Sequence, residues 1–259
     1  MERLRQILRR IDGKGYKAYK DIAGSYRGGQ FVLHIDHVQG DPFASPSRIR
    51  VEMAAAAAGV EEEWLHPSRR RIAAEDFFAR SVAQAIRGRS SRGAARGHGS
   101  SGLIAIDAPG QQVLPRTAVA IDRTRLEVRL SVGLPAAGRT ILGREAEKLL
   151  CERVPQLILE GVLQADRERL RRHLELADQQ AAIRAYLREH GLVAFVADGA
   201  VLPRESGVSD RPMKEGVVPF RAPDSLAVEI PLPHREPIRG MAIRKGVTLI
   251  VGGGYHGKS

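Results

Sequence analysis

Apolar residues recur at helical spacing at Leu4, Ile7, Leu8 and Ile11, and Asp12-Gly13-Lys14-Gly15 then ends the run. The chain is therefore predicted to open with an amphipathic helix. Phe31, Leu33 and Ile35 alternate with His34 and Asp36, the pattern of a half-buried strand, and a further apolar segment, Ile49-Arg50-Val51, precedes an alanine run. Phe77, Phe78, Val82 and Ile86 place an amphipathic helix over Glu75–Ile86. The stretch from Gly88 to Gly102, rich in Gly, Ser and Arg, reads as a flexible segment and a solvated surface loop whose arginines could touch RNA. Strands are predicted at Leu103–Asp107, Arg116–Asp122 and Leu126–Val132. In the last of these, Leu126, Val128, Leu130 and Val132 alternate with Glu127, Arg129 and Ser131.

Two helices follow, Arg144–Leu163 and Asp166–His190, with Pro155 expected to break or kink the first and Gly191 to cap the second. The arginines of the second helix are offset by Glu168, Glu175, Asp178 and Glu189, so a solvated face explains them as well as a nucleic-acid surface does. Leu192–Val196 and Leu226–Ile230 read as strands separated by a long Gly- and Pro-rich loop, Asp198–Asp224. Val247–Val251 reads as a buried strand. These elements predict an α/β chain of two parts. Residues 1–163 form an α+β domain of helices and mostly antiparallel strands, and residues 164–259 lead into a parallel-sheet nucleotide domain.

Composition narrows the class. With 43% apolar and 27% charged residues over 259 positions, the chain can bury a sizeable core. Its single cysteine, Cys151, excludes an internal disulfide framework and suits a reducing cytoplasm. No apolar run approaches the roughly 20 residues of a membrane span, and the N-terminus lacks the apolar stretch of a signal peptide. The formal charge of +11 and pI near 10.4 point toward nucleic acid. Lysine supplies only 7 of the 41 basic residues and asparagine is absent, a bias a GC-rich genome would produce. That bias explains the choice of arginine over lysine but does not remove acidic residues, so the net charge stands.

The strongest chemical signal is Gly252-Gly253-Gly254-Tyr255-His256-Gly257-Lys258-Ser259, which fits the phosphate-loop pattern G-x-x-x-x-G-K-[ST] after an apolar run. Glycines allow backbone N–H groups to turn inward on phosphate oxygens, Lys258 adds a mobile positive charge, and Ser259 offers a hydroxyl to Mg²⁺. The sequence stops on Ser259, so the chain is expected to be the front part of a nucleotide-binding protein, inactive in ATP turnover by itself.

Other motifs carry less. Asp107-Ala108-Pro109-Gly110 looks like a GTPase switch but lies far upstream of the phosphate loop, and reads as a strand followed by a turn. His34, Asp36, His37 and Asp41 have the residue types of a metal cluster; strand geometry points His37 away from His34 and Asp36, which favours a structural role. There is no G-x-S-x-G nucleophile elbow.

Long strings nonetheless match a known family. Asp12–Lys20, His34–Ala44, Ser131–Arg139, Leu192–Ala200 and Val251–Ser259 together resemble the "predicted ATPase of the ABC class" family, including its Tyr255-His256 loop variant. Ile238–Gly252 has the cadence of an ABC-type ATPase before its phosphate loop, although Tyr255 replaces the further glycine of transporter loops. The resemblance implies a soluble ATPase with an N-terminal α+β domain, an ABC-like core, homodimerisation across ATP and a basic surface suited to RNA. ATP and Mg²⁺ are the implied cofactors, with Lys258 on the β- and γ-phosphates. An aromatic platform for adenine is expected upstream, with Phe220 as candidate against the alternative of a core phenylalanine. Two other readings stay open: a nucleic-acid-binding module in residues 1–163 whose nucleotide site only regulates, and a small-molecule kinase. The kinase is disfavoured because the loop comes so late.

Overall fold

A computed structural model describes residues 1–90, 97–108 and 110–254. The chain divides into two compact units, Met1–Leu174 and Glu175–Ser259.

The first unit opens with helix α1 (Glu2–Ile11), whose Leu4, Leu8 and Ile11 are buried. Gly13, at φ 73°, turns the chain out of that helix. A 3₁₀ segment, Tyr16–Ile22, leads into strands β1 (Gly24–Gly28), β2 (Phe31–His37) and β3 (Ser47–Ala54). Helices α2 (Glu62–Leu65) and α3 (Ser68–Ser90) come next, followed by β4 (Ile104–Ala105), β5 (Val119–Ile121) and β6 (Arg125–Val132). The sheet runs β1-β2-β3-β6-β4, with β5 also on β6, and every pairing is antiparallel. Register aligns the apolar positions into stripes: Leu33 faces Val51 and Val51 faces Val128, while Ile35 faces Ile49 and Ile49 faces Leu130. All of these are buried, and each contributes about 1.5–3 kcal/mol by leaving water.

The predicted strands at 103–107 and 116–122 shrink to β4 and β5, because they share one edge of β6. β4 takes Ser131 and Val132, and β5 takes Leu126 to Val128, so each is confined to its own part of that edge. The flexible segment expected from Gly88 to Gly102 is also revised. Residues 88–90 finish α3, and residues 91–96 lie outside the described set. His98 donates its backbone N–H to Ala136 (2.9 Å), Ser100 to Pro42 (3.0 Å) and Gly102 to Gly133 (2.8 Å), so this stretch is tied down.

The opposite face of the sheet carries the polar alternates. Arg50 stands directly opposite Arg129, and Glu52 opposite Glu127, two like-charge pairs that would each destabilise the sheet. The diagonals resolve this: Arg50 Nη1 donates to Glu127 Oε2 at 2.8 Å, and Arg125 Nη1 to Glu52 Oε2 at 3.3 Å. The alternation of β6 predicts an outward, solvated Glu127, yet this residue is only 1% exposed. Burial pushes its carboxyl up, and hydrogen bonds from Arg50 and Arg129 outweigh that, holding it below the ordinary range.

The small hairpin β7 (Ala136–Ala137) and β8 (Thr140–Ile141) precedes a continuous helix over 143–163. It comprises α4 (Gly143–Lys148), a π turn (Leu149–Arg153), α5 (Val154–Ile158) and a second π turn (Leu159–Leu163). The expected break at Pro155 is absorbed: the proline sits in the first turn of α5, next to a π turn that relaxes the i→i−4 ladder its missing N–H would interrupt. Helix α6 (Arg167–Glu189) is capped by Asp166, whose Oδ1 accepts from the Arg169 N–H (3.0 Å), and ends at Gly191, φ 64°. Within the first unit its opening turns are fixed by buried Leu170 and Leu174 and by His173 Nε2, 3.0 Å from Asp76 Oδ2.

In the second unit, β9 (Leu192–Ala197), β12 (Ala227–Ile230) and β13 (Ile238–Arg244) form a three-stranded sheet ordered β12-β13-β9. The parallel sheet expected here does not occur among the described residues, where all pairings are antiparallel. For β12 and β13 the reason is connection length: residues 231–237 are too few for the crossover a parallel neighbour needs. The long loop after Asp198 carries its own hairpin, β10 (Arg204–Ser206) with β11 (Ser209–Pro212).

Candidate nucleotide-binding site

The segment leading to the phosphate-loop pattern starts on β13. Gly240 is required there by close approach: a Cβ on it would lie 2.3 Å from the Val196 carbonyl oxygen of β9. The strand stops after Arg244, and Gly246, at φ 130°, punctuates its end. Val247–Val251, predicted as a buried strand, belongs to no ladder among the described residues, and Val247, Leu249, Ile250 and Val251 are 74–93% exposed. An isolated strand has nowhere to place its backbone hydrogen bonds, so apolar character by itself does not make one.

Gly252, Gly253 and Gly254 follow outside any strand and are exposed, and a Cβ on Gly254 would meet open space. The remaining candidate residues, Tyr255, His256, Gly257, Lys258 and Ser259, lie outside the described residues. The donor set that the sequence supplies, glycine amides with one ammonium and one hydroxyl, is chemically suited to phosphate and Mg²⁺.

Sequence reasoning passed over a polar latch at the root of the long loop. Asp198 directly follows β9, and its Oδ1 accepts the Ala222 N–H at 2.6 Å while Oδ2 receives Arg239 Nη1. Arg239, on β13, also reaches Asp224 Oδ1 at 2.7 Å. The backbone donor from Ala222 and then the Arg239 guanidinium hold the Asp198 carboxyl below the ordinary range against desolvation. Gly199, at φ 83°, lets the chain turn so that its N–H meets the Phe220 carbonyl (2.8 Å), and Phe220 N–H meets Ala200 (2.9 Å). Phe220 is thus half-buried on a fastened backbone. The available signal was Asp-Gly directly after a strand. A second pin joins the β12–β13 connection to α6, where His234, at φ 65°, places Nε2 3.1 Å from the buried Asp178 Oδ2.

The metal-like residues of the first unit are committed elsewhere. Asp36 takes Arg50 Nε and Nη2, Asp41 Oδ1 accepts from Phe43 and Ala44 N–H, and His34 Nδ1 is 2.8 Å from Ser25 Oγ. Among the described residues no group of His, Cys, Asp and Glu is arranged to hold a metal ion. No described helix is long and apolar enough to cross a membrane.

Comparison with protein families decides the class. A family model described as "ATPase of the ABC class N-terminal" matches residues 1–165, and a second, described as the P-loop domain of the ABC ATPase, matches residues 166–259. The chain belongs to the ABC-class ATPase family. As an ABC-class ATPase it carries a nucleotide-binding P-loop domain after a mixed helix-and-sheet N-terminal unit. A search of curated proteins returns no match.

Proposed function

We propose that this chain binds ATP and Mg²⁺ through Gly252–Ser259, as the nucleotide-binding part of a cytoplasmic ABC-class ATPase. The observation that supports it is the complete G-x-x-x-x-G-K-S pattern inside the stretch matched as a P-loop domain. Gly252, Gly253, Gly254 and Gly257 shape the loop around Tyr255 and His256, Lys258 neutralises the β- and γ-phosphates, and Ser259 ligates Mg²⁺. Residues 1–163 form the N-terminal domain and 164–259 the nucleotide-binding part. Two copies close across ATP, and closure is coupled to binding of single-stranded RNA; the support for RNA is the net charge of +11. Titration calorimetry with Mg-ATP on the chain and its Lys258→Ala variant tests the nucleotide site. The variant is expected to bind about tenfold or more weakly, and equal binding removes the loop from the account.

A second reading is favoured by the polar face of the six-stranded sheet, where exposed arginines are presented. In it, residues 1–163 act as a nucleic-acid-binding module and the nucleotide site regulates. RNA affinity independent of ATP in both the chain and Lys258→Ala would select this reading.

A further inference from the structure

The polar face of the six-stranded sheet contains a hollow of about 320 Å³, lined by Arg48, Arg50, Arg129, Asp107, Thr117 and Ser131 among others. We propose that this hollow docks the phosphodiester backbone of single-stranded RNA, with Arg48 and Arg129 as the phosphate-contacting residues. The proposal rests on the RNA reading above and assigns it a place.

Hydrogen-bond accounting separates the arginines. All three nitrogens of Arg50 are engaged, Nε and Nη2 with Asp36 and Nη1 with Glu127, so it builds the site rather than serving it. Arg129 gives only Nε to Glu127 (2.7 Å), and its two terminal nitrogens make no hydrogen bond among the described residues. Arg48 is exposed, stands opposite Ser131 on β6, and has no carboxylate within ion-pair distance among the described residues. Glu127 thus fixes the inner end of Arg129 and leaves its outer fork open. A fixed guanidinium fork beside a second, unpaired one suits the two non-bridging oxygens of a phosphodiester.

The remaining lining points to a nucleotide unit rather than a bare anion. Thr117 and Ser131 supply hydroxyls, and the half-buried Ala105 supplies small apolar surface against which a sugar can rest. Asp107, held by Arg116 at 3.4 Å, keeps acceptor capacity for a ribose 2′-hydroxyl. Arg50 lies between Asp36 and Glu127 and offsets one of their two charges; the Nε edge of Arg129 offsets the other, which leaves Arg48 as the net positive charge of this cluster. The hollow accommodates about one nucleotide on an open sheet face, a geometry suited to a single strand.

The test is fluorescence anisotropy with a labelled oligouridylate over a series of salt concentrations, on the chain and on Arg48→Gln, Arg48→Lys, Arg129→Gln and Arg10→Gln. Arg48→Gln and Arg129→Gln should each weaken binding about tenfold and reduce the log–log salt slope by about 0.7. Arg48→Lys should keep the slope, and Arg10→Gln, on α1, should change neither quantity. Arg48 has no partner to lose, so its variant keeps the fold; a thermal melt confirms this for both sites. RNA binding by the unaltered chain, with slope and affinity unchanged in both glutamine variants, overturns the site and leaves the RNA reading standing. No binding by the unaltered chain at low salt overturns both.

Discussion

Gly133 approaches Ser100 so closely that a Cβ on Gly133 would lie 1.7 Å from the Ser100 carbonyl oxygen. The contact is backbone on one side and Cα on the other, so no rotamer change relieves it. Two hydrogen bonds hold it shut, from Gly102 N–H to Gly133 and from Gly133 N–H to Leu103 (2.9 Å). Gly133→Ala is expected to destabilise the first unit by about 3 kcal/mol or more, measured by urea denaturation. Gly138→Ala is the comparison: nothing crowds that site, and its φ of 58° alone should cost about 1–2 kcal/mol. Similar losses at the two positions would remove the steric argument.

Glu147 links α4 to α1. Its Oε2 accepts from Arg9 Nε (2.9 Å) and its Oε1 from Arg9 Nη2 (2.7 Å) and Arg5 Nη1 (2.9 Å). The hydrogen bond from Arg9, opposed by desolvation and reinforced by Arg5, holds its carboxyl at about 2, against an ordinary 4.5. A depressed carboxyl gives stability that is fully present above its unfolded value and is lost as pH falls toward the folded one. The urea midpoint should therefore drop between about pH 4.5 and 2, and Glu147→Gln should flatten that part of the profile. Parallel profiles would show that the pair contributes nothing.

Cys151 is buried, and desolvation pushes its thiol up to about 11. At neutral pH the folded chain should react with a thiol reagent orders of magnitude more slowly than the denatured chain. Rapid labelling under native conditions would show that the π turn carrying Cys151 opens readily.

Asp198 should govern the order of its loop and little else. Asp198→Ala removes the acceptor for Ala222 N–H and the partner of Arg239, so limited proteolysis within residues 198–224 should accelerate severalfold while the first unit's melting is unchanged. Asp198→Asn keeps an acceptor and should restore most of the protection. Unchanged cleavage in the alanine variant would deny the latch.

The α/β class and most elements were legible because their signals are local. Leu4 to Ile11 needs only its own spacing to become α1, and Asp166 and Gly191 mark both ends of α6. What escaped depended on neighbours distant in sequence. Glu127 looks like any outward residue until Arg50, from another strand, is found covering it. Val247–Val251 is apolar enough for a buried strand, but burial is a property of the pair and not of the segment. Of the candidate site, the pattern Gly252–Ser259 was plain in the sequence, whereas the Asp198–Arg239 latch was not, because its residues lie 41 positions apart.

Each π turn in the helix over 143–163 houses one more residue than an α turn would. In a regular α-helix one extra residue swings everything beyond it by about 100°. A widened turn takes up the extra residue on the spot, so the stretches on either side keep their alignment. That is why one uninterrupted rod can serve two neighbours, meeting α1 through α4 and α3 through α5 and the second π turn. Seen this way, the two π turns are tolerated insertions. A relative that lacks either residue should show a one-position gap inside this helix, where gaps are ordinarily forbidden, and should keep both neighbours.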